Sequence, residues 1–222
     1  MHDFEPLTVG DQTLRAYLRI PDHARAGVVV FHAWWGLNDD VVVYADRLAD
    51  AGFAVIAPDM FRGQVATEPE DAERLSGEFE AGGVDDVAWA AVDRLAEVLG
   101  SDAPLAALGW SFGAAYAIWG PSVRPRLRAT VAYYGTYTAP FIAGSTAPLL
   151  GHFAEEDPYT SEQEIRDLEE AFRAAGREIT TYRYAGTGHW FAEPSRDAYR
   201  EAAADLAFDR TIQFLRSVLE SD

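Results

Sequence analysis

Residues 104–115 read PLAALGWSFGAA, an apolar run followed by a turn of glycine and serine. PLAAL is short and apolar throughout, which is typical of a strand buried beneath helices on both faces. It leads into G-x-S-x-G, with Gly109 and Gly113 two positions either side of Ser111. A serine on such a strand–turn–helix takes a strained backbone conformation that points its hydroxyl out of the sheet. The stretch therefore predicts Ser111 as a nucleophile, the alternative being a tight turn with an incidental serine.

On both sides of this stretch, short apolar runs alternate with amphipathic segments, as in parallel βαβ units. The predicted strands are Leu14–Ile20, Val28–His32, Phe53–Ala57, Pro104–Leu108, Ala129–Tyr134, Pro148–Phe153 and Ile179–Tyr184. The predicted helices are Asp39–Ala51, Glu68–Phe79, Val84–Leu99, Phe112–Trp119, Ser161–Ala175 and Ser195–Leu219. We expect a single α/β domain over residues 1–222, with a doubly wound, mostly parallel sheet flanked by helices on both faces. Ligands of such sheets bind at the carboxyl ends of the strands.

A serine nucleophile needs a base within hydrogen-bond reach and an acid that orients the base. On this kind of sheet the three follow in the order serine, acid, histidine. Only His152 and His189 come after Ser111. His189 stands in the glycine-rich loop AGTGHWF after a predicted strand, which indicates the base, whereas His152 lies inside a strand and is expected to be structural.

The acid should lie in the loop after the preceding strand, where three carboxylates compete. They are Glu155, Glu156 and Asp157. Asp157 precedes a proline, which holds it extended at a turn. We therefore predict Asp157 as the acid, because glutamates in such loops are more often solvated charges.

An acyl-transfer site also needs two donors for the developing oxyanion. We expect the backbone N–H groups of Phe112, which follows the nucleophile, and of Trp34, in the loop after strand VVVFH. His32 and Asp59, at the ends of two predicted strands, are expected to be structural. Aromatic residues crowd these loops, and we expect six of them to line a small substrate pocket, the alternative being ordinary core. They are Trp35, Trp110, Tyr134, Tyr159, Trp190 and Phe191.

The composition excludes several kinds of site. The 222 residues include 36 acidic against 18 basic ones, a formal net charge of −18, so we expect neither nucleic acid nor membrane as a partner. Every basic residue is arginine and there is no cysteine, which excludes Schiff-base lysines, P-loop lysines, thiolate nucleophiles and zinc–thiolate sites. We expect no metal and no cofactor.

The first residues do not resemble a signal peptide and no apolar run could span a bilayer, so the expected location is cytoplasmic.

Several segments of the chain resemble the dienelactone hydrolase family of α/β-hydrolases. The resemblance rests on VVVFHAWWGLNDDV (28–41), ADRLADAGFAVIAPDMFRG (45–63), GWSFGAA (109–115), VAYYG (131–135), LLGHFAEEDPYT (149–160) and YAGTGHWF (184–191). It implies the α/β-hydrolase fold and a triad of Ser111, Asp157 and His189. It also implies oxyanion donors at Trp34 and Phe112.

The chain departs from the dienelactone-cleaving members of that family at three places. Those members carry a cysteine at the elbow where Ser111 stands, and a glutamate where this chain has Ala33. They also hold the substrate carboxylate with two arginines, of which one corresponds to Arg74 while Glu193 stands near the place of the other. A glutamate there should repel an anionic substrate.

We therefore expect a serine hydrolase that cleaves small carboxylic esters or lactones through an acyl-enzyme. Three alternatives stay open at this point. They are a carboxymethylenebutenolidase-type dienelactone hydrolase, a non-catalytic binding module on the same scaffold, and catalysis on an amide bond.

Overall fold

The computed structural model describes residues 4–81, 84–100, 102–137, 142 and 144–220. Two compact units can be distinguished, Met1–Leu105 and Ala106–Asp222, and each is described by itself. The expectation of one domain over residues 1–222 stays a prediction. No helix within the described ranges combines the length and the apolar character that a bilayer crossing requires.

The first unit contains a four-stranded sheet segment in the order β1-β2-β4-β3. Its strands are β1 (Phe4–Val9), β2 (Gln12–Arg19), β3 (Gly27–Phe31) and β4 (Ala54–Pro58), and its helices are α1 (Asp39–Asp50), α2 (Pro69–Ala81) and α3 (Val84–Leu99). Strand β2 pairs antiparallel with β1 and β4, whereas β3 and β4 are parallel. Every residue of β3 and β4 is buried, so both faces of these strands are covered, as their apolar sequences predict.

The second unit carries its strands in the order β5-β6-β7-β8. They are β5 (Leu105–Trp110, beginning at the last residue of the first unit), β6 (Leu127–Tyr133), β7 (Leu149–Glu156) and β8 (Ile179–Gly188). The helices are α4 (Phe112–Val123), α5 (Glu162–Ala174) and α6 (Glu201–Leu219). Strand β7 runs parallel to both β6 and β8. Buried side chains of α4, β6, β7 and α5, among them Ile118, Ala132, Phe153 and Phe172, form one apolar cluster.

All seven predicted strands and all six predicted helices are present, and parallel pairs predominate. The boundaries differ most from the prediction at four elements: β7 and β8 continue to Glu156 and Gly188, α4 continues to Val123, and α6 begins at Glu201. Strand β1 was not predicted. The longer β7 and β8 matter for the site, because Asp157 and His189 each come directly after the last residue of a strand.

Candidate active site

Ser111 occupies a sharp turn between β5 and α4. Its φ is +49°, in the left-handed region that residues other than glycine seldom adopt. Its N–H donates to the carbonyl oxygen of Tyr133 at 2.9 Å, and its own carbonyl accepts from the N–H of Ala114 at 2.9 Å. A Cβ on Gly135 would lie 2.6 Å from the Ser111 carbonyl oxygen, so a glycine there makes room for the turn. The strained elbow expected from the sequence is present.

The imidazole of His189 lies between a hydroxyl and a carboxylate. Its Nε2 is 2.9 Å from Ser111 Oγ, and its Nδ1 is 2.9 Å and 2.8 Å from the two carboxylate oxygens of Asp157. A carboxylate only accepts hydrogen bonds, so Nδ1 carries the proton and donates. Nε2 then presents its lone pair to the serine hydroxyl, which is the arrangement that lets the imidazole take the hydroxyl proton.

The Asp157 carboxylate is fixed by the loop after β7. Its Oδ1 accepts from the N–H groups of Tyr159 at 2.9 Å and Thr160 at 3.0 Å. The side chains of Asp157 and His189 are each only 4% exposed, so water scarcely competes for the bond between them. Of the competing carboxylates, Glu155 accepts from the N–H of Gly186 at 2.8 Å, and both it and Glu156 are exposed.

His152 is buried and fully hydrogen-bonded, as expected of a structural histidine. Its Nδ1 lies 2.8 Å from the hydroxyl of Tyr184, and its Nε2 lies 3.0 Å from Thr211 Oγ1. Burial, together with the positive charge of Arg210, lowers the pKa of His152 to about 3. His152 is therefore neutral at physiological pH and takes no part in the Ser111 arrangement.

His32 and Asp59 in the first unit are structural as well. His32 accepts from the N–H of Met60 at 3.2 Å, and burial lowers the pKa of its imidazole. Asp59 is fully buried and accepts from Arg15 Nε at 2.5 Å and from the N–H of Gly63 at 2.7 Å. In the part of the chain that the structure describes, no three His, Asp or Glu side chains are grouped as metal ligands would be.

With this geometry in view, comparison with known proteins shows the family. The sequence model of the dienelactone hydrolase family matches residues 14–219. The chain belongs to the dienelactone hydrolase family. A "Putative carboxymethylenebutenolidase" of Aquifex aeolicus (strain VF5) is 28% identical over 218 residues, which cover 93% of this chain and 94% of that protein. A "Probable 2-oxo-3-(5-oxofuran-2-ylidene)propanoate lactonase" of Bradyrhizobium sp is 28% identical over 207 residues, covering 85% of this chain and 82% of that protein.

Solved structures show the same fold for this dienelactone hydrolase family member. The structure "m3DLH" superposes with a TM-score of 0.87 at 22% identity and covers 99% of this chain and 98% of its own. The predicted α/β-hydrolase fold with a mostly parallel sheet is confirmed, as is the predicted family. Membership of this family makes the chain a hydrolase.

Three aromatic rings surround the His189 imidazole of this family member. The ring centroids of Tyr134, Tyr159 and Trp190 lie 5.0 Å, 4.9 Å and 5.0 Å from it. Tyr159 is 50% exposed and Trp190 is partly exposed, whereas Tyr134 is fully buried. Of the six residues expected to line a substrate pocket, Tyr159 and Trp190 are thus the accessible ones beside the base.

The other expected pocket residues are buried in the manner of core side chains. Trp110 and Phe191 are fully buried, and Trp35 in the first unit is 2% exposed. Trp110 packs edge-on against Tyr133 at 6.3 Å, and Phe191 lies 5.0 Å from the ring of Tyr184. Their expected role in a pocket stays a prediction.

The two expected oxyanion donors lie in different units. Phe112 is the first residue of α4, so its N–H lies at the positive end of the dipole of that helix. Trp34 lies in the first unit, in the loop between β3 and α1. The role of both N–H groups stays a prediction.

Glu193, which the sequence marked only as a departure from dienelactone-cleaving members, is an integral part of the His189 loop. It is 1% exposed, and its Oε1 accepts from the hydroxyl of Tyr134 at 2.8 Å. Arg74, the residue corresponding to one arginine of the dienelactone clamp, is half exposed on α2 and donates to Asp71 and Glu78. Nothing in the residues around Glu193 indicates that it is buried against a tyrosine.

Proposed function

We propose that this family member is a serine hydrolase that cleaves small carboxylic esters or lactones through an acyl-enzyme. The observation that carries the proposal is one continuous chain of hydrogen bonds. It runs from Ser111 Oγ to His189 Nε2 at 2.9 Å and from His189 Nδ1 to Asp157 Oδ2 at 2.8 Å. Nucleophile, base and orienting acid are thereby in the order that acyl transfer requires.

In the acylation step, Ser111 Oγ attacks the substrate carbonyl while its proton moves to His189 Nε2. The imidazolium keeps its Nδ1–H on Asp157, which stabilises the positive charge. The oxyanion of the tetrahedral intermediate is held by the N–H of Phe112, with Trp34 as the predicted second donor. Collapse breaks the bond to the leaving alkoxide, which takes the proton from Nε2 and departs as the alcohol.

In the deacylation step, a water molecule replaces the alcohol and His189 removes its proton as the water attacks the acyl carbon. The second tetrahedral intermediate collapses, Ser111 recovers its proton from His189, and the carboxylic acid leaves. A lactone follows the same two steps, except that its alcohol and its acid remain parts of one product.

Two observations support the proposed substrate class, the first concerning the bond that is cleaved and the second concerning the charge of the substrate. Two relatives bear the names carboxymethylenebutenolidase and lactonase, which favours carboxylic esters within rings. Glu193 is a buried acid four residues after His189, and Arg74 already donates to two carboxylates. Neither residue offers the paired cationic hydrogen bonds that recognise a substrate carboxylate.

The direct test is the turnover of p-nitrophenyl acetate. Ser111→Ala should lower kcat about 10⁶-fold. Asp157→Asn should lower kcat about 10,000-fold, because it replaces one carboxylate oxygen facing His189 Nδ1 with an NH2 group that cannot accept and so favours the wrong imidazole tautomer. Matched controls are Ser217→Ala, at an exposed serine of α6, and Glu156→Gln, at the exposed neighbour of Asp157. Both controls should keep wild-type turnover. Turnover that survives Ser111→Ala, or that falls equally in Glu156→Gln, would contradict the assignment.

Two further measurements separate the alternatives. A fluorophosphonate probe should label the peptide that contains Ser111, whereas a non-catalytic binding module would stay unlabelled. A panel of a short acyl ester, an uncharged lactone, a short acyl amide and a dienelactone should give the highest kcat/KM on the first two. A preference for the anionic dienelactone would point to the carboxymethylenebutenolidase alternative, and a preference for the amide to amide hydrolysis.

A further inference from the structure

Tyr134 lies between the loops that carry Asp157 and His189. It directly follows β6, and its φ of +37° is in the left-handed region. Its N–H donates to the carbonyl oxygen of His152 at 2.7 Å, and its own carbonyl accepts from the hydroxyl of Thr160 at 3.1 Å. These two bonds hold a backbone conformation that is otherwise unfavourable for tyrosine, and they fix the direction of its side chain.

The Tyr134 side chain contacts the His189 loop at two points. Its ring lies 5.0 Å from the imidazole, with the planes inclined at 59°, and its hydroxyl donates to Glu193 Oε1 at 2.8 Å. Tyr134 is fully buried and Glu193 is 1% exposed. No water can replace a partner lost from such a pair, so breaking the bond is costly.

Glu193 belongs to the same loop as the base. Its N–H donates to the carbonyl oxygen of Trp190 at 2.9 Å, which closes a turn immediately after His189. Trp190 itself has a φ of +66°, so this turn is strained and needs support from outside the loop. The bond from Tyr134 supplies that support from the end of β6.

We propose that Tyr134 and Glu193 are a positioning pair that holds the imidazole of His189 in line between Ser111 and Asp157. The proposal rests on the proposed function. The imidazole must hold Ser111 and Asp157 on opposite nitrogens at the same time, and a small rotation of the ring lengthens one bond or the other. The pair touches no reacting atom and carries no proton in the reaction.

The first test compares variants that break the same bond from either side. Tyr134→Phe keeps the ring against His189 and removes the hydroxyl, and Glu193→Leu keeps a similar volume and removes the acceptor. Each should lower kcat for p-nitrophenyl acetate about 10-fold or more with KM unchanged, because both side chains are buried and the pair orients the base. The double variant should fall no further than either single variant, because both break one interaction.

Two variants distinguish positioning from general stability. Glu193→Gln retains a carbonyl that accepts from Tyr134, so it should restore most of the kcat lost in Glu193→Leu. The matched control is Tyr17→Phe, which removes a 2.5 Å bond from a tyrosine hydroxyl to Asp46 in the first unit. It should lower Tm by a similar amount and leave kcat unchanged.

A second measurement does not depend on turnover. The proton on His189 Nδ1, shared with Asp157, should give a downfield proton NMR signal that disappears in Asp157→Asn. Tyr134→Phe and Glu193→Leu should broaden or shift this signal, and Tyr17→Phe should not. If Tyr134→Phe does not fold, the Glu193 variants carry the same test.

The proposal is overturned if Tyr134→Phe keeps both the wild-type kcat and the wild-type signal, or if Tyr17→Phe loses as much kcat. Failure of the proposed function has a different signature, namely turnover that survives Ser111→Ala. In that case the NMR signal still decides whether the pair holds the imidazole.

Discussion

At Gly109 the backbone leaves no space for a side chain. An added Cβ would lie 2.0 Å from the carbonyl oxygen of Gly113 and 2.6 Å from the N of Ala114. These are backbone atoms of the first turn of α4, so they cannot rotate away as the end of a side chain could. A methyl group at Gly109 must push α4 away from β5 and displace Ser111 between them.

Gly109→Ala is accordingly expected to lower the free energy of unfolding by about 3 kcal/mol and to abolish p-nitrophenyl acetate turnover. The matched control is Gly77→Ala, in α2, where an added Cβ meets no atom within 4 Å. That change should raise the free energy of unfolding by about 1 kcal/mol, since alanine favours a helix over glycine. Urea unfolding measures both. A Gly109→Ala protein with wild-type stability would show that the elbow is not closed as described.

The meeting of Ser111, Asp157 and His189 was predictable because each follows a predicted strand of a parallel sheet. Carboxyl ends of such strands lie at one edge of the sheet, so the loop positions alone bring the three side chains together. The burial of Glu193 was not predictable. Glutamate is almost always exposed, and its partner Tyr134 is 59 residues away in the chain.

At the scale of elements, α4 shows how a distant residue overrides a local stop signal. Gly120 and Pro121 predict an end near Trp119, yet the helix continues to Val123 with Pro121 inside it. Proline has no N–H for the carbonyl of Ala117, four residues earlier. Thr130 of β6 donates its hydroxyl to that carbonyl at 3.3 Å instead. Nothing near Pro121 in the sequence indicates this substitute donor.

Tertiary context also explains the other differences between the predicted and the observed elements, namely the presence of β1 and the later start of α6. Strand β1 has only Leu7 buried and contains Pro6, so it lacks the apolar run that marks the inner strands. It lies at the edge of the sheet order and pairs with β2. An edge strand tolerates proline, whereas a proline in the sequence counts against predicting a strand.

The segment before α6 forms turns. The N–H groups of Phe191, Glu193 and Arg196 each donate to the carbonyl oxygen three residues earlier. Helix α6 therefore begins at Glu201, not at Ser195.

One imidazole connects three elements of the second unit. His152 on β7 lies within hydrogen-bond distance of Tyr184 on β8 and Thr211 on α6, and Thr211 Oγ1 is also 3.0 Å from the hydroxyl of Tyr133 on β6. The folded protein holds His152 neutral, with its pKa at about 3 against 6.5 for an unhindered histidine. Protonation would place a charge in a buried site next to Arg210.

The stability of the protein should therefore fall as pH falls below about 6.5. Between that value and about 3 the unfolded chain binds a proton at His152 that the folded chain does not, so acid favours unfolding. From pH 7 to pH 5 this single group should lower the free energy of unfolding by about 2 kcal/mol. Above pH 7 its contribution is constant. Urea unfolding across this range measures the slope.

The variant His152→Gln isolates the effect. Glutamine retains polar contacts but does not titrate. The variant should be less stable than the wild type at pH 7, and its free energy of unfolding should fall less between pH 7 and pH 5. Thr211→Val is the control, because it removes one hydrogen bond and leaves the titrating imidazole in place. It should lower stability by a similar amount at both pH values. An unchanged slope in His152→Gln would exclude His152 as the group responsible.

At the scale of the whole molecule, the excess of acidic over basic residues, 36 against 18, sets the response to salt. Local ion pairs such as Arg183 with Glu162 and Glu169 are attractive and lose strength when screened. Exposed pairs contribute little, typically below about 1 kcal/mol each. The net charge of −18 leaves repulsion as the larger effect, and repulsion is relieved by the same screening.

We expect sodium and potassium chloride to raise Tm equally. Most of the gain should come below about 0.3 M, because the Debye length has already fallen to about 8 Å at about 0.15 M. The double variant Glu73→Gln and Glu170→Gln removes two exposed charges, and it should be more stable at low salt and respond less to added salt. A salt-adapted protein behaves differently, because its Tm would continue to rise steeply up to molar concentrations. A continued rise would therefore attribute the acidic composition to salt adaptation, and saturation at low salt would exclude that explanation.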